Sequence, residues 1–263
     1  MSTLAERPLI VVSSDEIVSR LGGEAPKNAV IAFDADGTLW SGDVGIDTFE
    51  MLLTEGAVRD AALPALRQEA LSAQLQLCDD PNDQARALYE GFQRGLYAEE
   101  LAFPMMAWAF AGYSPQEMGA FAATVVDRVG LRDRLHREVV PVIEWTVKYS
   151  LPLYVVSASP DIVVRTAIAA LDLPFDDVFA MSPAMDGDRI APRILEPVTY
   201  GAGKMAALQK GVPGATVWGA FGDSVFDMAM LKAARIRVAV RPKPELRRQA
   251  ASCPGLVELL RVP

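Results

Sequence analysis

The stretch that decides the fold is AVIAFDADGTLW, residues 29–40. Its first five residues are apolar, which is typical of a strand buried on both faces of a parallel sheet. Two aspartates, Asp34 and Asp36, follow at once, and Gly37 and Thr38 come next. Carboxylates this close repel each other, and burial disfavours both charges. Their position at the end of a buried strand therefore predicts a bound cation or a chemical role.

Strands and helices alternate in the second half of the chain. Strands are predicted at 153–156, 177–181, 216–221 and 236–240, and helices at 203–210, 227–234 and 244–251. This alternation predicts an α/β fold with a doubly wound parallel sheet of the Rossmann-like kind.

The segment between the first and second strands has no strand pattern. Its apolar residues recur at helical spacing, and Ser114-Pro115-Gln116-Glu117 is a strong helix start. We therefore predict an α/β core, formed by residues 1–45 and 131–263, that is interrupted by an all-helical inserted domain at 46–130.

Composition narrows the class of protein. The chain has 263 residues, a net charge of −9 and 51% hydrophobic residues, as an ordinary globular protein does. The negative charge argues against nucleic acid and anionic membranes as partners, but not against a small anionic substrate held beside a metal ion. Cys78 and Cys253 form no spacing motif, and the N-terminus lacks a secretory signal pattern, so a cytoplasmic location is expected. The sequence gives no argument for an oligomeric state.

Polar residues follow several of the predicted strands. Because ligands of open α/β sheets bind at the carboxyl ends of the strands, we expect these residues to meet at one edge. The candidates are Asp34, Asp36 and Thr38 after the first strand, Ser157, Ala158 and Ser159 after the second, Lys204 at a helix start, and Asp223 and Asp227 after the strand at 216–221.

This set suits phosphoryl transfer. Asp34, Asp223 and a backbone carbonyl are hard oxygen ligands of the kind that Mg²⁺ prefers. Ionised Asp34 can attack phosphorus and form an aspartyl phosphate, while Asp36 protonates the leaving alcohol and later activates water. Thr38, Ser157 and Lys204 would neutralise the phosphoryl oxygens. Ser159 and Pro160 are predicted as the N-cap and first residue of a helix whose free N–H groups face the phosphate.

In this order the four motifs resemble those of the haloacid dehalogenase (HAD) superfamily of phosphatases: DxDGT at Asp34, the strand ending in Ser157, Lys204, and GDSxxD at Gly222. The resemblance implies Asp34 as nucleophile and Asp36 as general acid/base and backbone metal ligand. It implies Asp223 as metal ligand, Asp227 as metal ligand or support, and a phosphate site at Thr38, Ser157, Ala158 and Lys204. The insert resembles a C1-type cap, and Asp36 argues against a true dehalogenase.

The phosphoserine phosphatase-like branch fits best, because its members carry an acid a few residues after DxDGTL, where Asp43 stands. Asp43 is thus a candidate for the substrate's amino group, or else a helix cap. Candidate arginines for a substrate carboxylate are Arg59, Arg67, Arg86 and Arg94.

Trp40 is placed as in phosphorylcholine phosphatases, and its ring would bind a quaternary ammonium by cation–π attraction. Trp108, Phe110 and Tyr113 would extend such a cage, or else belong to the hydrophobic core.

The predicted function is therefore a Mg²⁺-dependent phosphomonoesterase acting on a small phosphoserine- or phosphocholine-like metabolite. A phosphotransferase or phosphomutase that uses the same aspartyl phosphate, and a regulator that only stores the phosphoryl group, remain alternatives. His136 is predicted to lie on the surface, and the basic run AVRPKPELRR at 239–248 to be a solvated face.

Overall fold

The computed structural model describes residues 9–262, which are built around a parallel sheet of seven strands. The strands are β1 (Ile10–Val12), β2 (Ala29–Phe33), β3 (Leu153–Pro160), β4 (Asp177–Met181), β5 (Pro183–Asp186), β6 (Arg189–Ile194), β7 (Thr216–Gly222), β8 (Ile236–Ala239) and β9 (Leu256–Leu259). The sheet order is β1-β9-β8-β7-β2-β3-β4, and β5 and β6 form a separate antiparallel hairpin. The predicted α/β class is confirmed.

Helices connect these strands. They are α1 (Ser14–Leu21), α2 (Val44–Thr54), α3 (Leu63–Ser72), α4 (Pro81–Gln93), α5 (Glu99–Trp108), α6 (Pro115–Arg128), α7 (Leu131–Arg134), α8 (Val140–Lys148), α9 (Asp161–Ala170), α10 (Ala202–Gly211), α11 (Met228–Ala233) and α12 (Pro244–Gln249). Short 3₁₀ helices lie at Asp60–Ala62, Arg137–Val139, Val225–Asp227 and Ala250–Ser252. Within residues 9–262, no helix has the length and apolar character needed to cross a membrane.

Strand β2 lies inside the sheet, between β7 and β3, and all five of its residues are buried. Phe33 pairs with Phe221 of β7 and Val155 of β3, and the rings of Phe33 and Phe221 stack with centroids 4.0 Å apart. These contacts place the carboxyl ends of β2, β3 and β7 side by side. The motifs that follow the three strands therefore meet at one edge.

The insert between β2 and β3 is helical, as predicted, and no strand lies between residues 44 and 134 of the described chain. The predicted capping box of α6 is present, with Ser114 Oγ accepting from the backbone N–H of Glu117 at 3.1 Å. The first insert helix, α2, begins at Val44, so the predicted boundary at 45/46 falls inside it. The first eight residues of the predicted core lie outside the described chain.

The hairpin of β5 and β6 was not predicted, nor were the edge strand β1 and its neighbour β9. The hairpin bonds to the insert: Gly112 N donates to Ile190 O at 2.9 Å, and Ile190 N donates to Tyr113 O at 2.8 Å. Arg189 of the hairpin also pairs with Glu117 of α6 at 2.6 Å. The insert is therefore joined to the core at this hairpin as well as by its two chain connections.

Candidate active site

A cleft of about 60 Å³ lies at the carboxyl ends of β2, β3 and β7. Its lining comprises Asp34, Asp36, Asp43, Glu99, Phe103, Ser157, Ala158, Ser159, Tyr200, Lys204, Asp223, Ser224, Phe226 and Lys243. A larger groove of about 410 Å³ lies elsewhere, beside β4 and α10, and holds none of the predicted site residues. The smaller cleft is the candidate active site because the chemically useful groups meet there.

Asp34 is buried at the end of β2, with 4% of its surface exposed. Lys204 Nζ lies 2.6 Å from its Oδ1, and Thr38 Oγ1 donates to its Oδ2 at 3.0 Å. Burial and the nearby charge of Asp227 raise the pKa of Asp34, and the Lys204 ammonium opposes that rise. The lysine and the hydroxyl therefore favour the ionised carboxylate that a nucleophile requires.

Lys204 links two carboxylates below the cleft. Its ammonium also lies 2.6 Å from Oδ1 of Asp227, and all three side chains are at most 5% exposed. Burial alone would lower the pKa of Lys204, but Asp227 and Asp34 outweigh it and the pKa is raised. The lysine thus stays protonated between two acids.

Asp36 is held by three donors that come from different segments. Trp40 Nε1 donates to Oδ1 at 2.7 Å, Val44 N donates to the same oxygen at 2.8 Å, and Ser159 Oγ donates to Oδ2 at 2.6 Å. Burial raises the pKa of Asp36, while these hydrogen bonds lower it. Asp34 therefore lies beside an ammonium group, whereas Asp36 is surrounded by neutral donors. Such different surroundings allow one carboxyl to be ionised while the other is protonated.

Gly37 cannot carry a side chain here. Its φ is +80°, and a Cβ atom would stand 2.1 Å from Oδ2 of Asp223. Glycine allows both this backbone conformation and the close approach. Glycine at residue 37 therefore allows the loop of the first motif to pack directly against Asp223 of the fourth motif.

Three buried acids form a group with metal-binding geometry. One carboxylate oxygen from each of Asp34, Asp223 and Asp227 lies within 4.8 Å of the others. Hard oxygen donors of this kind fit Mg²⁺. Both oxygens of Asp227 are already occupied, Oδ1 by Lys204 and Oδ2 by donors from Asp223 and Ser224. Both oxygens of Asp34 also have partners, Lys204 and Thr38, but Asp34 and Asp223 line the cleft whereas Asp227 does not. This favours Asp34 and Asp223 as ligands and Asp227 as the residue that orients the loop.

Lys243 was missed from the sequence. It belongs to the basic run that was predicted to be a solvated face, but its Nζ lies 3.0 Å from Oδ2 of Asp223 and it lines the cleft. Burial and then Asp227 raise the pKa of Asp223 to about 6, and Lys243 opposes the rise.

The side chains of Thr38, predicted to contact phosphate, and of Ser159, predicted as a helix N-cap, have other partners. Thr38 is fully buried and donates to Asp34, so we correct its role to holding the carboxylate. Ser159 is not a helix N-cap: β3 extends to Pro160, α9 begins at Asp161, and the Ser159 hydroxyl binds Asp36. Ser157 and Ala158 line the cleft as predicted, and Ser157 Oγ accepts from Ser159 N at 3.1 Å.

Asp43 was considered either as a substrate contact or as a helix cap, and the structure places it both at the start of α2 and in the cleft lining. Its Oδ1 accepts from Ile46 N at 2.8 Å and caps α2, while the residue also lines the cleft. Burial, and then the charge of Asp36, raise the pKa of Asp43 to about 8.

Trp40 is placed differently from the prediction. Its ring is fully buried and its indole N–H donates to Asp36, so it holds the Asp36 side chain and does not present a face to the cleft. Trp108, Phe110 and Tyr113 are also buried in the core, outside the cleft lining.

None of the candidate insert arginines lines the described cleft. Arg59 pairs with Glu117, Arg67 with Asp79, and Arg94 with Glu90, while Arg86 donates to the backbone carbonyl of Leu53. The acid and the aromatic rings that do line it, Glu99, Phe103, Tyr200 and Phe226, were missed from the sequence.

His136 is buried rather than on the surface, with 2% of its area exposed. Its Nδ1 lies 3.0 Å from the backbone carbonyl of Thr38, and Nε2 has no partner among the described residues. The neighbouring Leu135 forms a β-bridge with Trp40, so the segment that contains His136 packs against the loop that follows β2.

Comparison with known proteins assigns the family. The family model described as haloacid dehalogenase-like hydrolase matches residues 31–232. The chain therefore belongs to the haloacid dehalogenase-like hydrolases, and the family predicted from the four motifs is confirmed. No curated protein matches the sequence.

Solved structures share the fold. A protein with unknown function from Bordetella pertussis Tohama I is 24% identical, with 89% of this chain and 99% of that chain covered and a TM-score of 0.69. A HAD family hydrolase from Salmonella enterica serovar Typhi is 19% identical over 90% and 68% of the two chains, with a TM-score of 0.58. A substrate-bound phosphoserine phosphatase is 17% identical over 89% and 94%, with a TM-score of 0.52. Family and fold together support an enzyme of the phosphatase-type hydrolases.

Proposed function

We propose that this protein is a Mg²⁺-dependent phosphomonoesterase that hydrolyses a small phosphorylated metabolite through an aspartyl phosphate on Asp34. The observation that carries the proposal is the convergence of Asp34, Asp36, Ser157, Lys204 and Asp223 on one cleft. Nucleophile, acid/base, phosphate-binding groups and a metal ligand are thereby within reach of one phosphoryl group.

The first step uses the two aspartates differently. A carboxylate oxygen of Asp34 attacks phosphorus, the bond to the ester oxygen breaks, and the departing alcohol takes a proton from Asp36. Lys204 and the hydroxyl of Ser157 stabilise charge on the phosphoryl oxygens. Ser159 and Trp40 hold the Asp36 side chain in place.

The second step releases phosphate. Asp36, now ionised, removes a proton from a water molecule that attacks phosphorus, and Asp34 is regenerated as the leaving carboxylate. When bound, Mg²⁺ supplies positive charge that offsets the crowded acids and the developing charge on the phosphoryl group. Asp34 and Asp223 would hold it, with the backbone carbonyl of Asp36 as the further ligand that the family resemblance implies.

The size of the cleft supports a small substrate. A volume of about 60 Å³ is far below the 300–1,000 Å³ or so of pockets for drug-sized ligands. A metabolite of phosphoserine or phosphocholine size suits it better than a nucleotide or a phosphoprotein.

The test is phosphate release from a panel of phosphomonoesters, including an aryl phosphate, with Mg²⁺ and with a chelator. The expected result is metal-dependent release that Asp34→Asn abolishes. Transfer of the phosphoryl group to an added alcohol, with little free phosphate formed, would instead identify a phosphotransferase. Full activity of Asp34→Asn would refute the aspartyl-phosphate route.

A further inference from the structure

The cleft has an aromatic side that the catalytic chemistry does not use. Phe103 lies on α5, Tyr200 precedes α10, and Phe226 lies in the 3₁₀ helix after β7. Their rings form a chain, with centroids 6.0 Å apart for Phe103 and Tyr200 and 4.6 Å apart for Tyr200 and Phe226. All three are half-buried and line the cleft, so their faces and edges are available to a small ligand.

Glu99 stands beside these rings. It lies four residues before Phe103, on the same face of α5. The carboxylate is half-buried and makes no hydrogen bond or ion pair of 4.0 Å or less among residues 9–262. Burial raises the pKa of Glu99, and the more distant charge of Lys243 opposes the rise without pairing with it. A half-buried acid that lines a cleft without a partner is placed to bind a cation.

The charged residues that line the cleft indicate which charge the rest of the substrate, beyond its phosphoryl group, should carry. Five carboxyl side chains line the cleft and two lysines oppose them; the acids are Asp34, Asp36, Asp43, Glu99 and Asp223, and the lysines are Lys204 and Lys243. A phosphomonoester dianion and Mg²⁺ cancel each other. Carboxylates still outnumber lysines when Asp36, which is protonated in the first step, and Asp43, whose pKa burial raises to about 8, are both counted as neutral. Both lysines already pair with aspartates, Lys204 with Asp34 and Asp227, and Lys243 with Asp223. The rest of the substrate therefore meets a surface suited to positive charge.

We propose that Glu99 and the rings of Phe103, Tyr200 and Phe226 bind an alkylammonium group, so that the preferred substrates are phosphomonoesters of amino alcohols. Aromatic faces attract a quaternary ammonium through their quadrupoles, and the carboxylate adds charge. A substrate carboxylate finds no arginine in the described cleft, so phosphoserine is disfavoured. This inference rests on the proposed phosphomonoesterase and names its substrate class.

The experiment compares phosphocholine with 3,3-dimethylbutyl phosphate, which has the same shape but carbon in place of the charged nitrogen. In the Mg²⁺-loaded enzyme, kcat/KM should favour phosphocholine about tenfold or more, the ratio that about 1.4 kcal/mol of ammonium binding gives. Glu99→Gln should remove most of this preference. The matched control is Glu100→Gln, which changes the same charge at an exposed neighbour outside the cleft and should keep the preference.

An aryl phosphate separates chemistry from specificity. Glu99→Gln should lose at least about tenfold more kcat/KM on phosphocholine than on the aryl phosphate, whose hydrolysis also shows that the variant is folded. Equal kcat/KM of the wild type for the charged and neutral esters would overturn the proposal, as would a preference unchanged by Glu99→Gln.

If no ester is hydrolysed, the aryl phosphate included, the proposed function has failed and the ammonium site is decided by binding alone. Calorimetric titration of choline then supports the site if the wild type binds it and Glu99→Gln binds at least about tenfold more weakly. Absence of choline binding to the wild type overturns it.

Discussion

Replacement of Lys204 by methionine tests how much the ion pairs of Lys204 with Asp34 and Asp227 stabilise the fold. Lys204→Met keeps an unbranched side chain but removes the ammonium that lies 2.6 Å from both Asp34 and Asp227. Both acids are at most 5% exposed, so water cannot replace the lost partner. Removing one member of a buried ion pair costs about 3–5 kcal/mol of folding free energy. Since domains are stable by roughly 5–15 kcal/mol, the variant should lose a large part of its stability.

The loss should depend on pH. Burial raises the pKa of Asp34 and Lys204 opposes the rise, so removing the lysine raises that pKa further above its unfolded value. A carboxyl whose pKa is higher in the folded state favours folding at low pH, and this contribution is lost as pH increases. The difference between wild type and variant should therefore be larger at pH 8 than at pH 5.

The assay is urea unfolding of both proteins in chelator, at pH 5 and pH 8. Lys204→Met combined with Asp227→Asn should recover part of the loss because one uncompensated charge is gone. Added Mg²⁺ should also stabilise the single variant by supplying charge beside Asp34. A loss below about 1 kcal/mol at pH 8, or a loss independent of pH, would refute the reasoning.

Further substitutions test individual contacts. Asp34→Asn should abolish phosphate release while circular dichroism shows a wild-type fold; substantial residual hydrolysis would remove Asp34 as nucleophile. Gly37→Ala should greatly weaken Mg²⁺-dependent activity, measured as a metal titration, because its Cβ would stand 2.1 Å from Asp223; a normal titration would show that the loop can move aside. Asp43→Ala should lower kcat/KM for amine-bearing esters more than for an aryl phosphate and cost about 1 kcal/mol through the lost cap of α2; equal losses on both substrates would leave it only a capping role. Ser159→Ala should slow turnover about tenfold without unfolding the protein, since Asp36 loses a hydrogen bond of about 1.5 kcal/mol; an unchanged rate would mean that Trp40 and Val44 suffice.

The parts of the fold predicted from sequence are those with strong local patterns. β2 is a continuous apolar run, and the helices of the insert repeat their apolar residues at helical spacing. The edge strand β1 and its neighbour β9 were missed; they have three and four residues, and Glu258 interrupts the apolar run of β9. The hairpin had a usable signal, Gly187-Asp188 as its two-residue turn, where Gly187 has a φ of +59°.

The site was predictable wherever a residue follows a central strand. Asp34, Asp36, Ser157 and Asp223 all line the cleft because parallel strands end at the same edge. Partners separated by long stretches of chain could not be read from spacing. Ser159 lies 123 residues from Asp36, and nothing local indicates that its hydroxyl would point at that acid.

The substrate side was predicted least well because the insert carries it. Trp40 was chosen for its position next to DGTL, but packing turns its ring inward and its N–H towards Asp36. Glu99 and Phe103 have no motif around them, and only the docking of α5 over the sheet edge brings them to the cleft.

The bond from Val44 N to Asp36 has a consequence for how this enzyme can diverge. It ties the first turn of the insert to Asp36, the acid/base residue of the proposed mechanism, so changes at the start of the insert would disturb that mechanism directly. Glu99 and Phe103 lie in the first half of α5, in the middle of the insert, and among the described residues no hydrogen bond links them to Asp34 or Asp36. Under the proposed function, mutations there would alter which alcohol is accepted while the chemical step is preserved. Selection would thus explore new substrates on α5 with little effect on turnover.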